Sequence, residues 1–358
     1  MTLSKLEIVQ FRNLQSVSIS LHPYVNVFYG ANGSGKTSIL EAIFFLSRGR
    51  PFRGSQARRL INESANYLTV FASLDSFCEV GIRKRSTGQT ELRLNGESSA
   101  TLAEIAHQMP TTLLEPASSN IFEDGSSSRR AILDWGVFHV EPKFYSAWRR
   151  YQRALKQRNS LLKLGVISKV ELDYWDHELG ASAAQMHAQR HAYFQQWMPF
   201  WKEHISSFLP DIEVVLEYLP GWDAREDLAE MLITRRATDR ERGYTQLGPH
   251  RADLYFRLGA SSANDFLSRG QKKLTVCALK LSQLKLLRVL GIKSSLLIDD
   301  LPSELDIDSQ KKVITSILGS EFQTFVTAID YQALRDVLEG LKGGYKTFHV
   351  EHGVVCEA

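Results

Sequence analysis

The amino-acid sequence predicts an α/β fold with a mixed sheet, into which a mainly α-helical subdomain is inserted. Residues 1–113 contain short alternating runs typical of strands, residues 114–244 contain long runs with helical periodicity, and residues 245–358 alternate strands with helices. We therefore expect residues 1–113 and 245–358 to form two parts of one lobe and to share a sheet. With 358 residues, 43% of them hydrophobic, the chain is long enough to bury a sizeable core.

Each predicted element follows from its local pattern. The first part contains the strand-like runs KLEIVQF, VNVFYG, LTVFASLD, CEVGIRKR and TELRLNG, with one helix directly after a glycine-rich loop. In the middle part, FYSAWRRYQRALKQRNSLLKL and DYWDHELGASAAQMHAQRHAYFQQWMPFW repeat apolar or aromatic residues at helical spacing. The strand-like run IEVVLEYL and the charged segment RRATDRERG follow, and strands return at ADLYFRL, SSLLID and TFVTAI.

Composition argues against several classes of protein. The three cysteines are far apart and lack CxxC spacing, which argues against a disulfide framework or a zinc site. No stretch resembles a signal-peptide core or a membrane span, so we expect a cytoplasmic protein without a membrane partner. The net charge of +3 is too small for a generally basic coat protein, so binding to a phosphate backbone requires locally gathered basic residues.

The stretch GANGSGKT lies between the strand-like run VNVFY and the helix-like run SILEAIFFLS. It matches the phosphate-binding pattern Gly-x-x-x-x-Gly-Lys-Thr at Gly30, Gly35, Lys36 and Thr37. In such a loop, backbone N–H groups surround phosphate oxygens, the lysine reaches the terminal phosphates and the threonine binds Mg²⁺. The sequence therefore predicts a site for ATP and Mg²⁺ rather than an ordinary glycine turn.

A second motif is the apolar run in SSLLIDDLPSELD, which ends in Asp299 and Asp300. A carboxylate at the C-terminal end of a buried strand is where a P-loop ATPase holds its magnesium. We therefore predict that Asp299 faces the metal, and that Asp300 and Glu304 are candidates for orienting the attacking water. Many strands end in an acidic turn, so the interpretation depends on the presence of GANGSGKT in the same chain.

A third motif, SRGQ, contains Ser268, Gly270 and Gln271 and opens a helical run. Taken alone, it is equally well explained as a capped helix start. In the order GANGSGKT, SRGQ and LLIDD, the three motifs resemble those of ABC-type ATPases. In that class, the signature of one subunit closes over the γ-phosphate held by another, so one copy of each motif implies an ATP-dependent homodimer.

The chain resembles the RecF family of bacterial recombination and gap-repair ATPases nearly from end to end. The resemblance is carried by LEIVQFRNL, GANGSGKTSILEAI, SRGRPFRGSQARRLI, YQRALKQRN, TQLGPHRADL, SRGQKKL and LLIDDLPSELD. It implies an ABC-type ATPase head that dimerises with ATP, hydrolyses ATP slowly and binds duplex DNA near single-strand gaps. It also implies cooperation with the RecR mediator in loading the RecA recombinase.

The same resemblance implies roles for individual residues. Arg12 is expected near the nucleotide base, and Ser268 and Gly270 are expected to contact the γ-phosphate in trans. Asp300 takes the place of a catalytic glutamate, and its shorter side chain suits slow turnover. We therefore expect a nucleotide site formed by Arg12, Gly30, Asn32, Gly33, Gly35, Lys36, Thr37, Ser38, Ser268, Gly270 and Gln271, with Thr37 and Asp299 as magnesium ligands and Lys36, Asp299, Asp300 and Glu304 as catalytic candidates.

Three positions depart from the common ABC-type pattern or stay open. Thr327 stands where many of these ATPases have a switch histidine, so the sequence leaves open whether this position senses the γ-phosphate. The segment LLEPASSNIFEDGSSSRRAILDW contains no recognisable Q-loop glutamine. His250 and Arg251 fit either a nucleotide or interface contact or a polar turn that enters a strand.

Two groups of basic residues are candidates for binding DNA phosphates without sequence preference. The first follows the helix of the glycine-rich loop and consists of Arg48, Arg50, Arg53, Arg58 and Arg59; the second lies in the helical insertion and consists of Arg149, Arg150, Arg153, Lys156 and Arg158. A solvated charged face explains such clusters equally well.

Two other functions compete with a repair ATPase: an ATP-switched recruitment scaffold with negligible turnover, and the motor subunit of an ABC transporter.

Overall fold

The computed structural model describes residues 2–52, 56–75, 77–98, 100–164, 168–300, 307–318, 322–340 and 343–358. The chain divides into two compact units, Met1–Ser118 with Lys273–Ala358, and Ser119–Lys272. The sequence placed the corresponding boundaries after residues 113 and 244. The second division therefore comes 28 residues later than expected, because the strand at residues 253–258 pairs with the strand at residues 214–219.

The first unit contains two sheets and the helices that pack against them. Its elements are β1 (Leu3–Phe11), β2 (Leu14–Ser20), β3 (Val25–Tyr29), α1 (Lys36–Arg48), β4 (Tyr67–Leu74), β5 (Cys78–Arg85), β6 (Thr90–Leu94), α2 (Leu102–Gln108) and β7 (Thr111–Leu114). In the second half of the chain they are β11 (Ser295–Ile298), α10 (Ile307–Leu318), β12 (Gln323–Ala328), α11 (Gln332–Glu339), β13 (Tyr345–Glu351) and β14 (Val354–Glu357). The five strands predicted for the first part are confirmed, whereas α2 was not predicted.

A six-stranded sheet runs in the order β14-β13-β3-β12-β11-β7. All of its pairings are parallel except that of β13 with β14. The nearly continuous burial along β3 and β11 fits central parallel strands, because such strands are buried on both faces. The expectation that the first and last parts of the chain share one sheet is confirmed, and the C-terminal ends of β3, β11 and β12 meet at one edge.

A five-stranded antiparallel sheet runs in the order β2-β1-β4-β5-β6. Helix α1 contacts β1 and β4 of this sheet and also β7, β11 and β12 of the six-stranded sheet. This double contact explains why α1 is buried nearly all round: its buried residues include Ile39, Leu40, Ile43, Phe45 and Leu46. The helix that follows the glycine-rich loop is therefore fixed inside the core.

The second unit contains the helical subdomain and a small sheet. Its elements are α3 (Ser126–Val140), α4 (Phe144–Leu162), α5 (Lys169–Phe208), β8 (Val214–Leu219), α6 (Leu228–Thr234), α7 (Arg236–Arg242), β9 (Asp253–Leu258), β10 (Ser261–Ser262), α8 (Ala263–Phe266) and the start of α9 (Arg269–Val289). The prediction of long helices is confirmed. The segment ADLYFRL was expected to return to the main lobe, but it forms β9, which pairs with β8. Backbone hydrogen bonding therefore keeps residues 245–272 in the second unit.

Within the described part of the chain, no helix has both the length and the apolar character needed to cross a membrane.

Candidate nucleotide-binding site

The glycine-rich loop connects the C-terminal end of β3 to the N-terminus of α1. Three of its glycines have positive φ, namely Gly30 (148°), Gly33 (78°) and Gly35 (121°), a region that favours glycine. A Cβ atom at Gly30 would overlap the carbonyl oxygen of Val350, whereas one at Gly33 would meet no described atom within 4 Å. The loop is thus closely supported on one side and open at Gly33.

Lys36 folds back across this loop. Its Nζ donates to the carbonyl oxygens of Gly30 at 2.7 Å and Ala31 at 2.9 Å. Burial lowers the pKa of Lys36, while the nearby carboxylates of Asp300 and Asp299 act in the opposite direction. The loop therefore holds a cationic group at its centre, where the terminal phosphates of a nucleotide are expected.

Thr37 and Asp299 meet as the sequence predicts. The Thr37 hydroxyl donates to Asp299 Oδ1 at 2.8 Å, and Asp299 is only 1% exposed. Asp299 directly follows β11, and its backbone N–H donates to the carbonyl oxygen of Leu114 at the end of β7 at 2.9 Å. Strand pairing therefore fixes the position of the Asp299 carboxylate at the sheet edge, beside the first residues of α1.

Asp300 continues the turn that Asp299 begins. Its φ of 53° lies in the left-handed region, and its side chain is exposed. The backbone N–H of Asp300 donates to Thr327 Oγ1 at 2.8 Å, and Thr327 Oγ1 lies 3.2 Å from Asp299 Oδ1. Thr327, which the sequence marked only as a departure from histidine, thus contacts both acidic residues.

These groups border a cavity of about 550 Å³ within the first unit. This volume is within the range of small-molecule sites. The cavity brings together most of the residues predicted for the nucleotide. It is lined by Arg12, Asn13, Asn32, Gly33, Gly35, Lys36, Thr37, Ser38, Asp299, Asp300, Thr327 and Ile329.

Asn13 is a lining residue that the sequence reasoning missed. It accepts a hydrogen bond from the Ser38 hydroxyl at 2.8 Å, and its Nδ2 donates to the carbonyl oxygen of Gly33 at 3.3 Å. The neighbouring Arg12, predicted near the base, forms an ion pair with the buried Glu41. The only available signal for Asn13 was its place beside Arg12 in the motif FRN.

The C-terminal hairpin also supports the loop, and no sequence motif indicated this. The backbone N–H of Gly353, between β13 and β14, donates to the carbonyl oxygen of Ser34 at 2.8 Å. Gly353 has a φ of 80°, and a Cβ atom there would overlap the carbonyl oxygen of Asn13. Glycine is therefore required at this position for both conformation and close approach.

The residues present fit ATP with Mg²⁺. Ser34 Oγ is buried and has no hydrogen-bond partner among the described residues, which is unusual unless a ligand satisfies it. Thr37 and Asp299 offer the oxygen ligands that Mg²⁺ prefers. Among the described residues, no group of three or more His, Cys, Asp or Glu side chains is arranged to hold a metal.

The signature-like residues begin α9 in the second unit. The Ser268 hydroxyl accepts from the backbone N–H of Gln271 at 3.3 Å, and the Gln271 side chain accepts from the Ser268 N–H at 2.8 Å. This reciprocal pair is a capping box, as the simpler interpretation of SRGQ expected. A Cβ atom at Gly270 would meet no described atom within 4 Å, so packing within the described chain does not require glycine there.

The arginines after α1 differ in exposure. Arg48 is half-buried and donates to the carbonyl oxygen of Thr111 at 2.9 Å, and burial together with the charge of Arg50 lowers its pKa to about 9. Arg50, Arg58 and Arg59 are exposed. Arg53 and the catalytic candidate Glu304 lie outside the described residues.

The basic group of the helical subdomain is smaller than its sequence indicates. Arg158 is fully buried, and its guanidinium contacts Asp176 and Asp239 at 2.5 and 2.7 Å. Its place on an exposed basic face was therefore predicted wrongly, because helical spacing alone did not show that buried acids meet it. Arg150 forms an exposed ion pair with Glu178, and the remaining exposed basic residues on α4 are Arg149, Arg153 and Lys156.

His250 has a structural role in the second unit. The Tyr151 hydroxyl lies 2.6 Å from its Nδ1, and its Nε2 lies 3.0 Å from the Thr245 carbonyl oxygen. A carbonyl only accepts, so Nε2 carries the proton and Nδ1 accepts from Tyr151. Burial lowers the pKa of His250 to about 4. Of the two interpretations left open for His250, these contacts favour the polar turn, whereas Arg251 is exposed and lies over the Tyr244 ring.

The chain matches a known protein family over nearly its whole length. Residues 2–355 match the RecF/RecN/SMC N terminal domain family. The chain is 41% identical, over 99% of both chains, to the DNA replication and repair protein RecF of Acinetobacter baylyi strain ADP1. The chain belongs to the RecF family. A RecF from Shewanella baltica strain OS223 is 42% identical, again over 99% of both chains.

Solved structures agree with membership of the RecF family. A structure of the recombination mediator protein RecF with ATP in the RecFOR pathway has a TM-score of 0.86 and 27% identity, covering 100% of this chain and 97% of that chain. An Smc head bound to a domain of ScpA has a TM-score of 0.62 at 17% identity and shares the fold. The predicted fold class is confirmed: an ABC-type P-loop ATPase head with a mixed sheet and an inserted α-helical subdomain.

Proposed function

We propose that this protein is an ATP-dependent DNA-binding ATPase of recombinational and replication-gap repair. The observation that carries the proposal is the hydrogen bond between Thr37 and Asp299, which line the same cavity as Lys36. It joins a phosphate-binding loop to the carboxylate that a P-loop ATPase uses for its metal. The names of the RecF relatives supply the DNA context, and a bacterial protein that acts on DNA is expected in the cytoplasm.

In the proposed site, the chain binds and orients the nucleotide. The N–H groups of the loop and the α1 N-terminus surround the phosphates, and Lys36 turns from the Gly30 and Ala31 carbonyls toward them. Thr37 and Asp299 hold Mg²⁺, which when bound neutralises developing phosphate charge. Asp300, exposed beside them, orients the attacking water, and its short side chain accounts for slow turnover.

The proposed active form is a homodimer assembled by ATP. Open space beside Gly270 at the start of α9 leaves room for a partner's phosphates to approach the backbone closely. Each chain supplies one glycine-rich loop and one signature, so complete sites need two copies. Hydrolysis removes the γ-phosphate contact and so weakens the dimer. Hydrolysis therefore determines when the DNA is released.

The proposed partners are gapped duplex DNA and the RecR mediator, with which the protein helps to load RecA. Support for a DNA surface comes from the exposed Arg50, Arg58 and Arg59, which follow the loop helix within 25 residues of Lys36. On α4, Arg149, Arg153 and Lys156 share one exposed face, and the sequence contains no acidic residue between Glu141 and Glu171. Both sets are suited to phosphates rather than to bases.

The first test is fluorescence anisotropy of labelled gapped duplex at fixed salt, with and without ATP, for wild type and Lys36→Met. We expect tighter binding with ATP that disappears in the variant, because Lys36 loses its charge at the phosphates. Absence of DNA binding with every nucleotide would contradict the proposal. An Asp299→Asn protein that still supports repair in cells would favour the recruitment scaffold.

The DNA surface is tested by the salt dependence of binding. Replacing Arg50, Arg58 and Arg59 with alanine is expected to lower the slope of log K against log salt by about one per lost phosphate contact. A matched variant at Lys5, Lys202 and Lys312, also exposed, removes the same charge elsewhere. An equal change in both triple variants would reject the proposed surface. Replacing Arg149, Arg153 and Lys156 with alanine tests the basic face of α4 in the same way.

A further inference from the structure

Thr327 links the two acidic residues of the candidate site. It lies on β12, between β3 and β11, and is 2% exposed. Its Oγ1 is 2.8 Å from the Asp300 backbone nitrogen and 3.2 Å from Asp299 Oδ1. A hydroxyl has one proton and two lone pairs, so Oγ1 accepts from the Asp300 N–H and donates to the Asp299 carboxylate.

This pairing argues against a direct role in sensing phosphate. The hydroxyl proton of Thr327 has two acceptors in reach, Asp299 Oδ1 at 3.2 Å and the Ile298 carbonyl oxygen at 3.5 Å, and the nearer, charged carboxylate is favoured. The oxygen already accepts from the Asp300 N–H. A donor to the γ-phosphate at this position would have to break the bond to Asp299. The side chain is therefore occupied in holding the acidic turn.

Thr327 differs from Thr37, the other hydroxyl that donates to Asp299 Oδ1. Thr37 belongs to the first turn of the phosphate-binding helix, and in the proposed function it also binds Mg²⁺. Thr327 comes from the strand framework, so its contact with Asp299 does not depend on the nucleotide. It is thus suited to orient the carboxylate before the nucleotide binds.

The same contact supports the backbone of Asp300. A φ of 53° is uncommon for a residue other than glycine, and such conformations persist where neighbouring groups stabilise them. The hydrogen bond from the Asp300 N–H to Thr327 Oγ1 stabilises this backbone conformation of Asp300. The directions of both side chains therefore depend on one buried hydroxyl.

We propose that Thr327 is a positioning residue that fixes the Asp299–Asp300 turn for magnesium binding. The inference rests on the proposed function, since Asp299 matters to Mg²⁺ only if the cavity binds a nucleotide. It assigns to this position a task that needs a hydroxyl and not a charge.

The test compares Thr327→Val with Thr327→Ser, using anisotropy of a fluorescent ATP analogue titrated with MgCl₂ and repeated in EDTA. We expect Thr327→Val to need about tenfold more Mg²⁺ for half-maximal nucleotide binding, a typical cost of losing a group that orients a metal ligand. Binding in EDTA is expected to match wild type, because the phosphate loop is unchanged. Thr327→Ser restores the hydroxyl and is expected to restore the wild-type Mg²⁺ requirement.

Thr324→Val is the matched control, since Thr324 lies on the same strand and is 1% exposed but does not line the cavity. If Thr327→Val does not fold, Thr327→Cys takes its place and should need more Mg²⁺ than Thr327→Ser, because a thiol is a weak donor. An unchanged Mg²⁺ requirement in a folded Val or Cys variant, or an equal change in Thr324→Val, would overturn the inference alone. Absence of Mg²⁺-dependent nucleotide binding by wild type would overturn the proposed function as well.

Discussion

Thr37 and Asp299 are 262 residues apart in the chain and are joined by a hydrogen bond of 2.8 Å from the Thr37 hydroxyl to Asp299 Oδ1. The contact exists because β3 and β11 are both neighbours of β12 in a parallel arrangement, so their C-terminal ends reach the same edge. In an α/β sheet, this edge is where ligands bind. The candidate site is therefore a product of strand order.

The first prediction concerns hydrolysis at this edge. Asp299→Asn keeps the shape of the side chain but removes its charge, so Mg²⁺ is held less well where phosphate charge develops. We expect phosphate release to fall by about 100-fold or more, while binding of a fluorescent ATP analogue changes far less. Asp211→Asn, at an exposed position of the second unit, is the control. Equal phosphate release in the Asp299→Asn and wild-type proteins would exclude Asp299 from the reaction.

The second prediction concerns the C-terminal hairpin that contacts the loop. Gly353→Ala introduces a Cβ atom that overlaps the Asn13 carbonyl at a φ of 80°, so the N–H contact with Ser34 should shift. We expect a loss of about 3 kcal/mol in unfolding free energy and weaker ATP binding. The measurements are urea denaturation and nucleotide titration.

Gly88→Ala is the control that separates the cost of a positive φ from the cost of the Cβ overlap at Gly353. Gly88 has a φ of 97°, and a Cβ atom there meets no described atom within 4 Å. Its substitution should cost about 1 kcal/mol and leave ATP binding unchanged. A similar cost at both glycines would show that the close approach of Gly353 to Asn13 is unimportant.

The third prediction separates two arginines of α4. Arg158→Met leaves the buried Asp239 without its cation and leaves Asp176 with Arg236 alone, so we expect a loss of about 3–5 kcal/mol in unfolding free energy. Arg150→Met breaks an ion pair with Glu178 in which the arginine side chain is 53% exposed, and should cost less than about 1 kcal/mol. Chemical denaturation of both variants measures the difference, and comparable losses would contradict the assigned burial.

The fourth prediction is a pH dependence of stability due to His250. Its folded pKa of about 4, lowered mainly by burial, lies below the ordinary histidine value of 6.5. Between pH 6.5 and 4 the unfolded chain binds a proton that the folded chain does not. Stability is therefore lost as the pH falls, by about 1.4 kcal/mol per unit and about 3 kcal/mol in total from this residue.

Urea denaturation between pH 4 and 7 tests this dependence. His250→Gln keeps hydrogen-bonding groups for Tyr151 and Thr245 but does not titrate, so its stability should fall less steeply with acid. His177→Gln, at an exposed position of α5, serves as the control. Parallel profiles for wild type and His250→Gln would show that His250 does not contribute.

Several parts of the site were predictable because their signals are local. The pattern Gly30, Gly35, Lys36 and Thr37 fixes a loop conformation through φ angles and a short helix start, which depend on neighbouring residues. The apolar run before Asp299 likewise predicts a buried strand that ends in a carboxylate. These elements occur in the structure where the sequence placed them.

Other features depend on residues far apart and had no local signal. Gly353 supports the loop through its backbone N–H and Asn13 through its side-chain amide, and both residues lie in turns far from the loop in sequence. Arg158 belongs to the same basic stretch as the exposed Arg153, yet it is buried because Asp176 and Asp239 come to it from other helices. The run ADLYFRL reads as a strand, but only pairing with β8 decides which unit contains it.

By itself, the sequence determined the nucleotide loop, the strand-end carboxylate, the long helices and, through its resemblance, the RecF family. Only the tertiary structure decided that Thr327 contacts both Asp299 and Asp300, that the C-terminal hairpin supports the loop, and that Arg158 is not a surface residue. The physical reason is the range of the interactions. Backbone conformation and periodicity are set by neighbours in sequence, whereas strand order, burial and side-chain partners are set by packing between distant segments.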